Sequence, residues 1–409
     1  MAHFCNLSAI ASCWVLLASL CFGAQQDDTI LKSLYGNHQW FELRDRIREG
    51  GASAFYEGTV ACTFNDVRRC EERFRDLFNS TPRSDEAVEA HRTLASAYLT
   101  HGEYQKALAQ VDAILALRPA DADALGGRPV LAALADTPDQ QIARRHTTVR
   151  LEDGGLPFSI NGVHATYWFD TGAELSVLTE SEAKRFGLRV RPTSGQVGDV
   201  NGTRVNTQIA VADELSIGSI QIKHVAFLVL PDNQPPFNEQ SPSSRGLIGI
   251  PVLLAFETFV WGADKSFEVG IKSSRKSVAQ AALCFDGNHP VVQVAYGKHG
   301  LAFSLDTGAT NTDLYPPFAS AFPELIRSAT KTDSYKMEGA GGAKYMEAAT
   351  LDSLEFSIGG FPATLKSVGV LLKPTTAASR FFAGNLGIDL LQQAHKTTFD
   401  FKAMTLRLQ

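Results

Sequence analysis

The sequence has 409 residues, enough for two or three domains, and its 44% apolar and 20% charged residues are ordinary for a globular protein. Its formal net charge is −6, and no basic tract interleaved with aromatic residues occurs. Composition and charge therefore favour a multidomain globular protein and exclude a basic nucleic-acid-binding one, so no nucleic acid partner is expected.

Residues 1–24 differ from the rest of the chain. The run from Leu7 to Ala24 is almost wholly apolar, and the first Lys or Arg is Lys32. The run is typical of a signal-peptide core, so residues 1–24 are predicted to be a signal peptide of an exported protein, periplasmic or secreted. No membrane contact is expected after its removal. Positive residues before the core are missing, so an uncleaved anchor or a wrongly assigned start codon is an alternative, although the run is short for a full span.

Three of the six cysteines lie within residues 1–24, which leaves Cys62, Cys70 and Cys284. No Cys-x-x-Cys pair occurs, so a zinc site is not predicted. No His cluster suggests another metal, and no cofactor is expected. In an exported protein Cys62 and Cys70 are suited to a disulfide. The alternative is two small buried thiols, and the sequence leaves both open.

Residues 25–145 form the predicted helical domain, since apolar residues recur there with helical periodicity. The clearest unit is Asp85–Pro119, which reads as two helices separated by a turn at Gly102. Its spacing resembles a tetratricopeptide repeat: Leu94-Ala95-x-x-Tyr98-x-x-x-Gly102-x-Tyr104-x-x-Ala107. The small Ala107 allows the second helix to lie close to the first.

A degenerate second copy is predicted at Ala54–Pro82. Asn65 falls in its turn, and Cys70 takes the place of Ala107, 37 residues away. Because one copy cannot bury its own apolar face, neighbouring helices are expected. Two functions are open for this domain: a concave face that binds a peptide or protein partner, or a helical support packed on the next domain. A third alternative is a pro-segment released on activation.

From residue 146 onward, short apolar runs are split by Gly, Pro, Asn and Asp, which predicts strands. The region divides into two similar halves, 146–280 and 281–409. An apolar strand in each half leads into the same four residues, and the two copies lie 136 residues apart. These copies are Asp170-Thr171-Gly172-Ala173 and Asp306-Thr307-Gly308-Ala309.

Further segments repeat in the same order in both halves. Gly-rich stretches at Gly195–Gly202 and Gly339–Gly342 predict hairpin tips. Apolar-Gly turns follow at Gly246–Leu253 and Gly384–Leu391, at nearly equal distances from the two Asp-Thr-Gly triplets. A pair of closing strands is predicted at the end of each half.

This order of elements, from about Thr147 to Gln409, resembles aspartic proteases of the retropepsin and pepsin class, and the Ala after each triplet is closer to the retroviral type. The resemblance implies a multidomain α plus β protein, in which the helical domain precedes a bilobal, internally duplicated all-β protease fold. It also implies an endopeptidase with a polypeptide substrate and with Asp170 and Asp306 as catalytic residues. Because one chain carries both half-sites, a monomer is expected.

Two neighbouring carboxyls can catalyse peptide hydrolysis because they do not both ionise readily and therefore share one proton. The ionised carboxyl activates water, and the protonated one donates to the scissile carbonyl. The glycines of the triplets allow backbone N–H groups to approach the carboxyls. The resemblance implies that the threonines hydrogen-bond across the two loops. The predicted supporting residues are Thr171, Gly172, Ala173, Thr307, Gly308 and Ala309.

Ala173 and Ala309 lack a hydroxyl that would hydrogen-bond a carboxylate, which should raise the apparent pKa of the acidic member of the pair. We therefore expect a weakly acidic to near-neutral pH optimum.

The Gly-rich hairpins resemble the flaps that close over substrate in this family. The first hairpin is the stronger flap candidate, and an exposed turn is the alternative for both. The flap candidates are Gly198, Asp199, Val200, Asn201, Gly202, Gly339, Gly341 and Gly342.

The competing functional hypothesis is a non-catalytic protein that grips a peptide with protease-derived lobes. The presence of both triplets favours the enzyme.

Overall fold

The computed structural model describes residues 28–143, 146–198, 204–271, 280–339 and 342–409. The predicted signal peptide lies outside these ranges. Among the described residues, none of the helices combines the length and apolar character needed to cross a membrane.

The N-terminal region is helical, as predicted. Its helices are α1 (28–36), α2 (Trp40–Ile47), α3 (Ala54–Thr63), α4 (Val67–Ser80), α5 (Asp85–Thr100), α6 (Tyr104–Leu117) and α7 (Ala122–Ala132). Side-chain caps start several of them: Ser84 accepts from the Ala87 N–H at 3.1 Å, and Asp121 accepts from the Ala124 N–H at 2.9 Å.

Two helical pairs in this region have matching turns. Helix α3 packs on α4 and α5 packs on α6, and the turns place Asn65 and Gly102 in the left-handed region, at φ 64° and 68°. Ala107 and Cys70, the two small residues expected at the close contact, are fully buried. Cys62 and Cys70 are joined by a disulfide between α3 and α4, one of the two arrangements that the sequence left open.

The first β lobe contains an eight-stranded sheet. Its elements are β1 (Gln141–Ala143), β2 (Thr147–Arg150), β3 (Leu156–Ile160), β4 (Val163–Phe169), β5 (Ser176–Thr179), α8 (Glu180–Arg185), β6 (Val190–Gly198), β7 (Arg204–Ile217), β8 (Ile220–Leu230), β9 (Gly246–Ile248), α9 (Ile250–Ala255), β10 (Thr258–Gly262) and β11 (Ser266–Val269). The strand order is β1-β8-β5-β9-β4-β3-β7-β6, and an added β7–β8 pairing closes a barrel.

The second lobe repeats this plan. Its elements are β12 (Ala281–Asp286), β13 (His289–Tyr296), β14 (His299–Leu305), β15 (Asp313–Leu314), α10 (Pro316–Ala321), α11 (Pro323–Ser328), β16 (Thr330–Gly339), β17 (Gly342–Ile358), β18 (Phe361–Leu371), α12 (Ala378–Phe381), β19 (Gly384–Leu386), α13 (Ile388–Leu391), β20 (Lys396–Asp400) and β21 (Thr405–Leu408). The run β16-β17-β18-β15-β19-β14-β13, closed by a β13–β17 pairing, matches the first lobe strand for strand. The predicted fold class, a helical region followed by a duplicated β-rich region, is confirmed.

Alternating burial explains why these segments form strands. In β4 the side chains of Ala165, Tyr167 and Phe169 point into the core, and the residues between them are partly or fully exposed. One apolar core runs through both lobes.

A second set of strands joins the lobes. Strands β12, β21, β20, β10, β11 and β2 follow one another in one sheet, with β10 of the first lobe antiparallel to β20 of the second. Phe259 and Phe399 are register partners there, and their rings stack with centroids 4.6 Å apart. This sheet fixes the two lobes relative to each other.

The helical region packs on both lobes. Its apolar core includes Cys284, Val291 and Phe382 of the second lobe. On the first lobe, the hydroxyl of fully buried Tyr104 accepts from the Ala226 N–H at 3.1 Å. These contacts make the helices one structural unit with the β region.

Candidate active site

The two Asp-Thr-Gly loops lie at equivalent places in the two lobes. Strand β4 ends at Phe169 and β14 ends at Leu305, so an aspartate follows each buried strand directly. The Asp170 N–H donates to the Ile248 carbonyl at 2.8 Å, and the Asp306 N–H donates to the Leu386 carbonyl at 3.0 Å. The apolar-Gly turns predicted from the sequence therefore hold the bases of both loops.

Reciprocal threonine hydrogen bonds hold the two loops together. Thr171 Oγ1 donates to the Leu305 carbonyl at 2.7 Å and accepts from the Thr307 N–H at 3.1 Å. Thr307 Oγ1 donates to the Phe169 carbonyl at 2.8 Å and accepts from the Thr171 N–H at 3.0 Å. Both threonines are buried. Because each hydroxyl spans the lobe junction, the distance between the loops is set by four hydrogen bonds.

Each aspartate carboxyl lies against the glycine of the opposite loop. A Cβ atom added to Gly308 would lie 2.5 Å from Asp170 Oδ2, and one added to Gly172 would lie 2.8 Å from Asp306 Cγ. Any side chain at either position would displace a carboxyl. The sequence predicts that these glycines let backbone N–H groups approach the carboxyls, and the close approach of the opposite carboxyl is a second, tighter reason for glycine here.

The same glycines supply hydrogen bonds to the aspartates of their own loops. The Gly172 N–H donates to Asp170 Oδ1 at 2.7 Å, and the Gly308 N–H donates to Asp306 Oδ1 at 2.9 Å. Asp306 Oδ1 also accepts from the Ala309 N–H at 3.1 Å. Backbone amides therefore orient one oxygen of each carboxyl.

The two carboxyls face each other across the lobe junction. Although Asp170 keeps some accessible surface, burial of its carboxyl raises its pKa well above the ordinary value, and the charge of Asp306 raises it further. Hydrogen bonds from the Gly172 and Ala173 N–H groups oppose this shift. This arrangement retains one proton between the two groups at pH values where isolated aspartates would both be ionised.

A further polar side chain contacts the pair and was missed from the sequence. Asn385 Nδ2 donates to Asp306 Oδ2 at 3.1 Å. Asn385 lies in β19, inside a segment whose counterpart in the first lobe is Gly246-Leu247-Ile248. The available signal is an amide in an otherwise apolar run, which the repeat of the turn alone does not connect with Asp306.

The predicted flap residues are only partly described. Strands β6 and β7 pair antiparallel, as do β16 and β17, and each pair is joined at one of the two Gly-rich stretches. Gly198 ends β6, Gly339 ends β16 and Gly342 starts β17. Asp199, Val200, Asn201, Gly202 and Gly341 lie outside the described residues.

The described residues hold no cluster of three or more His, Cys, Asp or Glu side chains arranged to bind a metal ion.

Comparison with known proteins gives a match to a family model and matches among solved structures. A family model described as "Aspartyl protease" matches residues 156–252, which include Asp170 and the first apolar-Gly turn. Among solved structures, the chain is similar to a retropepsin-like aspartic protease from Rickettsia conorii, with 16% identity over 32% of this chain and 92% of that one, at a TM-score of 0.22. Comparison with curated proteins finds no match. The first lobe is therefore aspartyl-protease-like in sequence.

Proposed function

We propose that this protein is an aspartic endopeptidase, which hydrolyses peptide bonds of polypeptide substrates with a water molecule activated between Asp170 and Asp306. The observation that carries the proposal is that two aspartate loops from duplicated lobes meet at one junction, held by reciprocal threonine hydrogen bonds, with each carboxyl against the glycine of the other loop. The family match to the first lobe supports it independently.

In this proposal the carboxyl pair works in its singly protonated form. The ionised member removes a proton from water as the oxygen attacks the scissile carbonyl carbon. The protonated member donates to the carbonyl oxygen and stabilises the charge that develops there. Because the threonines and the loop amides already hold both groups, little reorganisation is needed during the reaction.

We also infer that the helical region is a structural support that packs on both protease lobes. Arg191 of β6 donates from Nη1 to the Ala133 carbonyl at 2.8 Å, just beyond α7. In the second lobe, Asp286 Oδ1 lies 2.7 Å from His38 Nδ1 and accepts from Trp40 Nε1 at 3.0 Å. Helical surface that contacts both lobes is not free to bind a partner, so partner binding through the helices is the less supported alternative.

Export is the localisation that we propose, and a monomer is the proposed state. The Cys62–Cys70 disulfide supports export because disulfides persist mainly in oxidising compartments. Both half-sites belong to one chain, so no second copy is needed to complete the dyad.

The proposal is tested by incubating the purified full chain with a mixture of unstructured polypeptides and identifying new termini by mass spectrometry. We expect cleavage by the wild type, its loss in Asp306→Asn, and its inhibition by a statine-type transition-state analogue. Asp213→Asn, which changes an exposed aspartate of β7 in the same way, should cleave normally. Tight binding of the analogue without turnover by the wild type would instead indicate a peptide-binding protein.

A further inference from the structure

The duplication allows the surroundings of the two aspartates to be compared position by position. In the first lobe, the parallel pair β4–β9 aligns Phe169 with Ile248 and Trp168 with Leu247. In the second lobe, β14–β19 aligns Leu305 with Leu386 and Ser304 with Asn385. Leu247 and Asn385 therefore occupy the same place beside Asp170 and Asp306.

This position is where the two halves of the site differ chemically. Asn385 is half-buried and donates from Nδ2 to Asp306 Oδ2, whereas the aliphatic side chain of Leu247 has no donor to offer Asp170. Both oxygens of Asp306 thus accept hydrogen bonds from its own lobe, Oδ1 from Gly308 and Ala309 and Oδ2 from Asn385. A carboxylate that accepts several hydrogen bonds is stabilised in its charged form.

We propose that Asn385 is a positioning residue that makes Asp306 the ionised member of the dyad and Asp170 the member that carries the proton. Asp306 is then the general base, and Asp170 is the acid. This assignment rests on the proposed function, because it distributes the roles within the same reaction.

The assignment gives a balanced reaction. Asp306 takes a proton from water while the water oxygen bonds to the carbonyl carbon, and the Asp170 proton goes to the carbonyl oxygen, which forms a neutral gem-diol. Asp306 then returns its proton to the amide nitrogen as the C–N bond breaks, and one hydroxyl of the gem-diol returns a proton to Asp170. The products are a carboxylic acid and an amine, and the dyad regains its starting protonation.

Other titratable groups near Asp306 do not reverse this arrangement. Asp170 faces it across the lobe junction, and Tyr315, which follows β15, lies close enough to interact with its charge. Burial raises the pKa of Tyr315 far above its ordinary value, so this hydroxyl stays neutral in the range where the dyad titrates. Asp313 acts on Tyr315 from the adjoining strand and is itself hydrogen-bonded by the Tyr335 hydroxyl.

The test compares the pH dependence of kcat/KM for the wild type, Asn385→Leu and Asn385→Ala. Asn385→Leu copies the first lobe, and Asn385→Ala removes the donor without adding a charge. Loss of the donor should move the acidic limb of the profile upward by about one pH unit. The alkaline limb should stay in place, because it reports loss of the second proton from Asp170, when Asp306 is already charged. A merely structural role would lower the rate without moving one limb alone.

Leu247→Met is the matched control, since it alters the equivalent position without removing a donor, and its acidic limb should coincide with that of the wild type. If the wild type cleaves, and Asp306→Asn does not, but both Asn385 variants keep the wild-type acidic limb, the role of Asn385 is wrong while the proposed function stands. If the wild type fails to cleave at all, the proposed function itself fails. Melting temperatures of each variant identify any that do not fold.

Discussion

At the scale of single residues, a carboxylate at the end of a buried strand requires a partner or a use. The repeated Asp-Thr-Gly-Ala motif predicts Asp170 and Asp306 as the catalytic pair through its resemblance to aspartic proteases, and the structure brings their two loops together. The motif could not predict Asn385, since the contact of Asn385 with Asp306 depends on the register of a parallel strand pair, which a local pattern does not contain. The expected weakly acidic to near-neutral optimum stays a prediction, and the raised pKa of Asp170 has the direction that it requires.

The raised pKa of Asp170 also has a consequence for stability. The folded chain holds this proton more tightly than the unfolded chain, so the free energy of unfolding must fall as pH rises from the ordinary aspartate pKa, near 4, toward the raised one. Asp170→Asn removes that titration. We expect its melting temperature to exceed that of the wild type by an amount that grows as the pH rises above about 4.

Differential scanning calorimetry across this pH range measures the effect. Asp213→Asn, on the exposed face of β7, should parallel the wild type at every pH. A constant difference between wild type and Asp170→Asn would show that the Asp170 carboxyl titrates normally.

At the scale of elements, hairpins and helices followed from local patterns, whereas their packing partners did not. Asn65 and Gly102 marked turns, and both adopt left-handed backbone conformations there. The sequence did not indicate that α7 lies on β6, the outer strand of the first Gly-rich hairpin. Two separate periodicities, helical and alternating, carry no information about which helix covers which strand.

The contact between α7 and β6 can be tested at Gly195. A Cβ atom added there would lie 2.5 Å from Val130 Cγ2 and 2.9 Å from Thr193 Oγ1, so Gly195→Ala overpacks the junction. We expect Gly195→Ala to lower the free energy of unfolding by about 1–3 kcal/mol. Adding Val130→Ala removes the closer of the two contacts and should restore most of the loss. Denaturant unfolding of the single and double variants gives the coupling energy between the two sites.

Additive effects of the two substitutions would contradict this contact. Val130→Ala alone serves as the reference, because it removes apolar atoms without adding any.

At the scale of the whole molecule, the duplication could be predicted from the sequence, but the way in which its two halves join could not. Closing strands were predicted for each lobe, but their pairing into one sheet brings Phe259 onto Phe399, 140 residues away in sequence. Pairing over such separations is decided by the complete set of strand edges, and no short pattern specifies it. Helices, lobes and the shared sheet together hold the two aspartate loops at one junction.

The central claim is that Asp170 and Asp306 act as a single unit, and its most direct test is kcat/KM of the wild type, both single Asp→Asn variants and the double variant on one polypeptide substrate. We expect each single substitution to lower kcat/KM by about 10³-fold or more and the double variant to be hardly worse than either, because groups that act together are not additive. Substantial activity in either single variant, or losses that multiply in the double variant, would contradict the account.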